Sequence, residues 1–268
     1  MAAEKERCLG MLKAENLAIR YGDSTIIKSL DLELKQGQVT SIIGPNGCGK
    51  STLLKALARQ MPRYEGTVYL DGKDVKEWQA KPFARQLAFL MQSHEQLGDI
   101  SVKHLVSFGR FPYKNLMKRM NEDDLQIVER ALSLTGIKHL EERTVSTLSG
   151  GERQRAWIAM ALAQQPGILL LDEPTTYLDI CHQLEIMELV KLLNRTYGLT
   201  IVMVLHDLNH ASSYSDQIIM MNKGSIFAYG APNEVMNEGS IGAVFGVRAK
   251  IHPDPDSGIP LIHSMMLM

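Results

Sequence analysis

The chain has 268 residues, enough for one large domain or two small ones at about 150 residues each. Its 29 lysines and arginines against 30 aspartates and glutamates leave a formal charge of −1, which excludes a strongly basic protein that coats nucleic acid, and an acidic tail. Hydrophobic residues at 45% and charged residues at 22% are globular values, so a disordered chain is excluded and no disulfide staple is needed.

Cys8, Cys48 and Cys181 are scattered and odd in number. That usage fits a reducing compartment and speaks against a disulfide framework or a tight zinc site. The opening MAAEKERCLG mixes acids with bases and leads into no apolar run, so no signal peptide is expected. Apolar stretches such as Ile168–Leu171 and Ile201–Leu205 fall far short of the ~20 residues of a membrane helix. Any membrane role is expected to come through a partner.

Ser29–Lys35 alternates apolar and polar residues with period two, as a half-buried antiparallel strand does. Val39–Ile43 is a short β-branched run ending at a glycine, and a helix is predicted over Lys50–Arg59. From about 93 to 165 helical periodicity dominates; in Glu122–Thr135, for example, Leu125, Val128, Leu132 and Thr135 share a face. Strand-like runs return at Gly167–Leu171, Thr200–Leu205 and Gln217–Met221, with an amphipathic helix at Ile180–Asn194 between the first two. Such alternation implies right-handed crossovers and a parallel sheet. Asn222–Ser225 reads as a hairpin turn before Ile226–Tyr229. The expectation is an α/β fold: a P-loop core with a parallel sheet, N-terminal antiparallel strands and an inserted helical subdomain. These occupy 11–240 and leave a Gly- and Pro-rich tail over 241–268. The fifteen methionines are read as gap-filling core residues.

Gly44-Pro45-Asn46-Gly47-Cys48-Gly49-Lys50-Ser51 matches G-x-x-x-x-G-K-[ST] between a strand and a helix. The glycines let successive N–H groups turn inward on an anion, and the following helix adds its positive dipole end. Lys50 can reach the β and γ phosphates and the Ser51 hydroxyl can ligate Mg²⁺. Cys48 is read as a small residue filling the loop, although positive potential there could lower its thiol pKa. The strand Ile168–Leu171 delivers Asp172 and Glu173 to the C-terminal edge where ligands of parallel sheets collect. Asp172 is a Mg²⁺ ligand through water, and Glu173 a general base for the attacking water. His206 follows another strand to the same edge and can hydrogen-bond the γ-phosphate or that water. Ser149 and Glu152 form an S-x-x-E capping box, whose glycines Gly150 and Gly151 make a second anion-binding helix start.

These motifs, in this order, resemble the ATP-binding-cassette family over nearly the whole chain. On that resemblance Tyr21 is the adenine-stacking aromatic, and 44–52, including Thr52, is the first nucleotide motif. Gln92 is the glutamine that touches both the metal and the transport subunit. Ser149-Gly150-Gly151 is the signature, Leu178-Asp179 the D-loop and His206 the switch histidine. The family implies ATP and Mg²⁺ as cofactors and a head-to-tail pair of chains, each signature closing on the other's γ-phosphate. It also implies membrane permease subunits and, indirectly, a substrate-binding protein, with no nucleic-acid partner. Residues 101–113, 175–183 and the end of the chain further resemble ATPases of bacterial ferric-siderophore and cobalamin importers. The expectation is an ATP-hydrolysing motor at the cytoplasmic face of the bacterial membrane. Phe108, Arg110, Phe111 and Tyr113 are candidates for the permease-docking groove, with core or solvated face equally open. A cobalamin or haem importer ATPase, a cassette ATPase for metal-cofactor assembly and a nucleotide-gated binding protein remain open at this point.

Overall fold

The computed structural model describes residues 11–92, 98–114 and 120–268. Cys8, the opening decapeptide and positions 93–97, where the helical insert was expected to begin, lie outside the described residues.

Strands β1 (Leu12–Tyr21), β2 (Ser24–Glu33), β4 (Glu65–Leu70) and β5 (Lys73–Asp74) form an antiparallel sheet in the order β2-β1-β4-β5. A second sheet holds β3 (Val39–Ile43), β6 (Leu87–Leu90), β7 (Ile168–Asp172), β8 (Thr200–Val204), β9 (Gln217–Asn222) and β10 (Ser225–Gly230). Its order is β10-β9-β3-β8-β7-β6, parallel except for the β9–β10 hairpin at one edge. Lys223 and Gly224 turn that hairpin at φ 47° and 79°, the left-handed pair that matches strand twist.

Because successive strand side chains alternate faces, the central sheet feeds two cores. Ile42, Leu170, Val202, Val204, Ile219 and Met221 pack with the antiparallel sheet and with helix α1 (Lys50–Leu57). Ile43, Leu169, Leu171, Ile201, Met203 and Met220 face the helices α4 (Glu122–Leu134), α5 (Gly150–Ala163) and α6 (Ile180–Tyr197) instead. Burial on both faces is why these strands read as unbroken apolar runs.

The helical insert contains α3 (Val102–Ser107), a 3₁₀ segment at Phe108–Tyr113, α4 and α5. Arg110 is not part of a docking surface. It is 5% exposed and bonds Asp124 Oδ1 through Nε at 2.8 Å, the Ala163 carbonyl at 2.8 Å and Gln165 Oε1 at 3.1 Å. Its guanidinium also lies 3.9 Å from the centroid of the Tyr113 ring. This pair draws Asp124 inward, so the buried stripe of α4 runs through Asp124, Val128, Ala131 and Leu132, while Leu125 at its edge is 47% exposed. Phe111 stays 55% exposed and stacks on Phe108 at 4.9 Å.

The last thirty residues carry more structure than their composition suggests. Helix α9 (Glu238–Phe245) is followed by a hairpin of β11 (Val247–Pro253) and β12 (Pro260–Leu267). Pro253 and Pro260 form its closing pair, where the lost donors interrupt no ladder, and Asp254 accepts from Ser257 N and Oγ, both at 2.8 Å, inside the turn. Met187, Met203, Met220, Met221 and Met236 are buried as expected, but Met265, Met266 and Met268 are exposed.

Removing one partner of a buried ion pair strands the other charge, at a cost of about 3–5 kcal/mol. Arg110→Ala is therefore expected to lose that much in urea unfolding. The Arg110→Ala/Asp124→Ala double variant should recover part of it.

Candidate active site

Strands β3, β8, β7 and β6 lie side by side and parallel. Their C-terminal ends carry, in that spatial order, the glycine-rich loop, His206, Asp172 with Glu173, and Gln92. Four sequence-distant segments thus meet at one edge.

The loop 44–49 needs its glycines. At Gly44, with φ 149°, a Cβ would stand 2.3 Å from the Met221 carbonyl oxygen and 2.8 Å from Cys48 Sγ. Gly49, at φ 105°, occupies the N-cap position of α1 and leaves the first N–H groups of that helix without a side-chain cap. An anion satisfies such groups. Lys50, 5% exposed, folds back so that Nζ donates to the Gly44 carbonyl at 2.8 Å and the Pro45 carbonyl at 3.1 Å. Asn46 and Gly47 are exposed, and Thr52 lies half-buried in α1. Burial pushes the Cys48 thiol up despite the Lys50 charge and backbone N–H groups that pull it down, so Cys48 is packing and not a poised thiolate.

Ser51 Oγ donates to Asp172 Oδ1 at 2.8 Å. Asp172 is 4% exposed. Burial pushes its carboxyl above the usual carboxylate range and the Glu173 charge pushes the same way, while Ser51, Lys55 and Lys50 pull it back. A hydroxyl and a buried carboxylate form a hard oxygen set, and a divalent cation would relieve the cost of the buried charge.

Glu173 is the hub of the edge. Its backbone is left-handed at φ 53°, a strained state for a non-glycine residue and one concentrated at functional sites. Its carboxylate accepts from Gln92 Nε2 at 2.5 Å and Thr176 Oγ1 at 3.0 Å, and pairs with His206 Nε2 at 2.7 Å. Thr176 was not singled out from the sequence; its only signal was a second threonine after Asp172-Glu173-Pro174.

Ser149, Gly150, Gly151 and Asp179 assemble elsewhere. Ser149 Oγ accepts from Glu152 N at 3.3 Å and Glu152 accepts from Ser149 N at 2.8 Å, the expected capping box at the start of α5. The Ser149 N–H holds the Glu152 carboxyl below its ordinary value. Asp179 caps α6, accepting from His182 N at 2.9 Å and meeting His182 Nδ1 at 2.8 Å. A Cβ on Gly151 would strike that His182 ring at 2.0 Å, a contact that sequence spacing did not reveal. Among the described residues no hydrogen bond joins this cluster to the phosphate loop. Tyr21 ends β1, 53% exposed, with its hydroxyl on Met61 Sδ at 3.3 Å.

A phosphate loop on a parallel-sheet edge, with a carboxylate, a histidine and a glutamine converging beside it, defines a P-loop ATPase cassette. Residues 27–176 match the family model described as ABC transporter, and the chain belongs to that family and binds and hydrolyses ATP. It is 47% identical to the ferric enterobactin transport ATP-binding protein FepC of Escherichia coli (strain K12), over 94% of this chain and 93% of the relative. It is 46% identical to the iron(3+)-hydroxamate import ATP-binding protein FhuC of Bacillus subtilis (strain 168), over 94% of each. Among solved structures, the dimeric bacterial ABC transporter cassette MJ0796 superposes with a TM-score of 0.72 at 28% identity, over 82% of this chain and 98% of the other. Among the described residues no helix is long and apolar enough to cross a membrane.

Burial raises the Asp172 carboxyl above its unfolded value, so the folded state holds this proton more tightly than the unfolded chain does. Its ionisation therefore costs stability at neutral pH, and the cost vanishes below the unfolded value near pH ~3.9. Asp172→Asn, which keeps the acceptor for Ser51, is expected to raise the nucleotide-free melting temperature at pH 7. The gain over the parent should disappear at about pH 3.5.

Proposed function

We propose that this chain is the ATP-hydrolysing motor of a bacterial importer that takes up iron–siderophore complexes through separate membrane permease subunits. The observation that carries the hydrolytic part is the convergence of Gln92, His206 and Thr176 on the Glu173 carboxylate at 2.5–3.0 Å beside the phosphate loop. The transport part is supported by likeness to FepC and FhuC, whose names specify ferric enterobactin and iron(3+)-hydroxamate.

In this reading the N–H groups of 44–51 cradle the phosphates and Lys50 turns from the Gly44 and Pro45 carbonyls to the terminal ones. Tyr21 stacks on the adenine. Ser51 and Asp172 would hold Mg²⁺, with Gln92 at the same sheet edge, and the bound ion would neutralise charge on the phosphates. Glu173 takes the proton of the attacking water. His206 and Gln92 fix the carboxylate's direction, and His206 reports the γ-phosphate. Two chains pair head to tail, so that Ser149, Gly150, Gly151 and Asp179 of one complete the site of the other; two phosphate-binding helix starts against one triphosphate per chain support this. The dimer drives the permease from the cytoplasmic face of the membrane, and a substrate-binding protein delivers the cargo. In this reading cargo does not touch this subunit, so no side chain of the ATP site distinguishes one chelate from another.

Lys50→Ala is expected to weaken ATP binding itself, by about tenfold or more for a lost charge-assisted contact; an unchanged Kd would remove Lys50 from the phosphates. For transport, iron-starved cells carrying chromosomal Glu173→Gln should lose radio-iron uptake from at least one ferric siderophore. Undiminished uptake from a catecholate, hydroxamate and carboxylate panel would overturn the siderophore assignment and turn attention to cobalamin or haem.

A further inference from the structure

His206 leaves β8 and is followed at once by helix α7 (Leu208–Tyr214), whose N-cap Asp207 accepts from His210 N at 2.7 Å. The His206 side chain is 44% exposed, and among the described residues Glu173 is its one hydrogen-bond partner. Packing covers only part of the ring, so the backbone from which it springs shares in setting its position; that backbone is held on one side by Leu205 N donating to the Ile42 carbonyl at 3.1 Å and runs on the other into the first turn of α7.

The C-terminal hairpin clasps this helix. Asn209 Nδ2 donates to the Ile262 carbonyl at 3.1 Å while Asn209 Oδ1 accepts from Ile262 N at 2.8 Å. Ser212, fully buried, donates through Oγ to the Pro260 carbonyl at 2.6 Å. An amide that both gives to and takes from one residue's backbone mimics a strand partner and fixes the helix in rotation as well as translation. At its far end α7 is anchored to the core, with Tyr214 Oη donating to Glu188 of α6 at 2.9 Å and Ser215 Oγ to Ser41 of β3 at 2.6 Å. The near end, which carries His206, has its side-chain clasp in the hairpin. A two-stranded hairpin is marginal alone, so it persists by docking, with β12 on α7 behind the histidine and β11 on α9.

We infer that Asn209 is a positioning residue for His206, and that the C-terminal hairpin, through Asn209 and Ser212, holds the histidine in register with Glu173. This rests on the role proposed above for His206. Asn209 touches neither nucleotide nor carboxylate and acts through the helix start alone.

The test uses the full-length purified chain, with ATP turnover and ATP affinity measured well below the unfolding temperature. Asn209→Ala is expected to lower kcat about three- to tenfold, the range of couplings carried by a packed element, with the Kd for ATP unchanged. Asn209→Asp keeps the acceptor for Ile262 N and should retain more of the rate. Arg110→Ala strips a buried ion pair that touches neither α7 nor the hairpin, and should lower the melting temperature while leaving kcat at the parent value. In a His206→Ala background, Asn209→Ala should cost nothing further, because both act at one point. Equal losses with and without His206, a normal kcat in Asn209→Ala, or an equal loss in Arg110→Ala would each overturn the inference. If His206→Ala itself turned over at the parent rate, the histidine's proposed role would fall first. A slow His206→Ala beside a normal Asn209→Ala would spare that role and remove only this inference.

Discussion

Parallel β-strands must all end on the same edge of their sheet, and everything chemical in this molecule follows from that constraint. The glycine-rich loop, the paired carboxylates, the histidine and the glutamine are separated by up to 162 positions in the sequence, from Gly44 to His206, yet each sits at the end of one of four adjacent strands. Burial on both faces locks the register of those strands, because a shift of one residue would move Leu169, Leu171, Ile201 and Met203 into the wrong core. The site therefore inherits its precision from the two hydrophobic cores behind it.

At that edge the molecule carries unfavourable chemistry in order to be ready for a polyanion and a cation. Asp172 is buried and its ionisation is penalised, Glu173 stands in a left-handed backbone state beside it, and Lys50 is folded onto carbonyls of its own loop. The buried charge of Asp172 and the backbone of Glu173 cost stability in the free protein; a cation would relieve the first, and an anion would compete with the loop carbonyls for Lys50. The rest of the fold holds the penalty in place. Arg110 with Asp124 ties the 3₁₀ segment to α4 and α5, and His182 wedges against Gly151 and links α6 to the helix start of α5.

What was legible in the sequence was the chemistry carried by the backbone or by consecutive residues. The loop 44–51 is readable because glycine, lysine and serine must stand at fixed offsets to surround an anion, and the Ser149–Glu152 box because both its bonds lie within one turn. Period-two and apolar patterns likewise placed β3, β7, β8 and β9. Contacts made across the fold were not readable. Arg110 looks like a surface cation until Asp124 and the Ala163 carbonyl close on it, and Leu125 looks like core until that pair displaces the buried stripe of α4. The residues after 237 read as a Gly- and Pro-rich tail because a hairpin whose closing positions are prolines carries its turn signals inside its strands, and it is held by packing on α7 and α9.

The account stands on Glu173 as the group that activates water in a site otherwise built to bind. Single-turnover phosphate release from bound ATP by purified Glu173→Gln measures this most directly, against the parent at the same nucleotide occupancy. The account predicts full occupancy with release slowed by about 10²–10⁴-fold, the usual contribution of a general base. Release at the parent rate from equally occupied protein would contradict it and leave the carboxylate a structural hub for Gln92, Thr176 and His206.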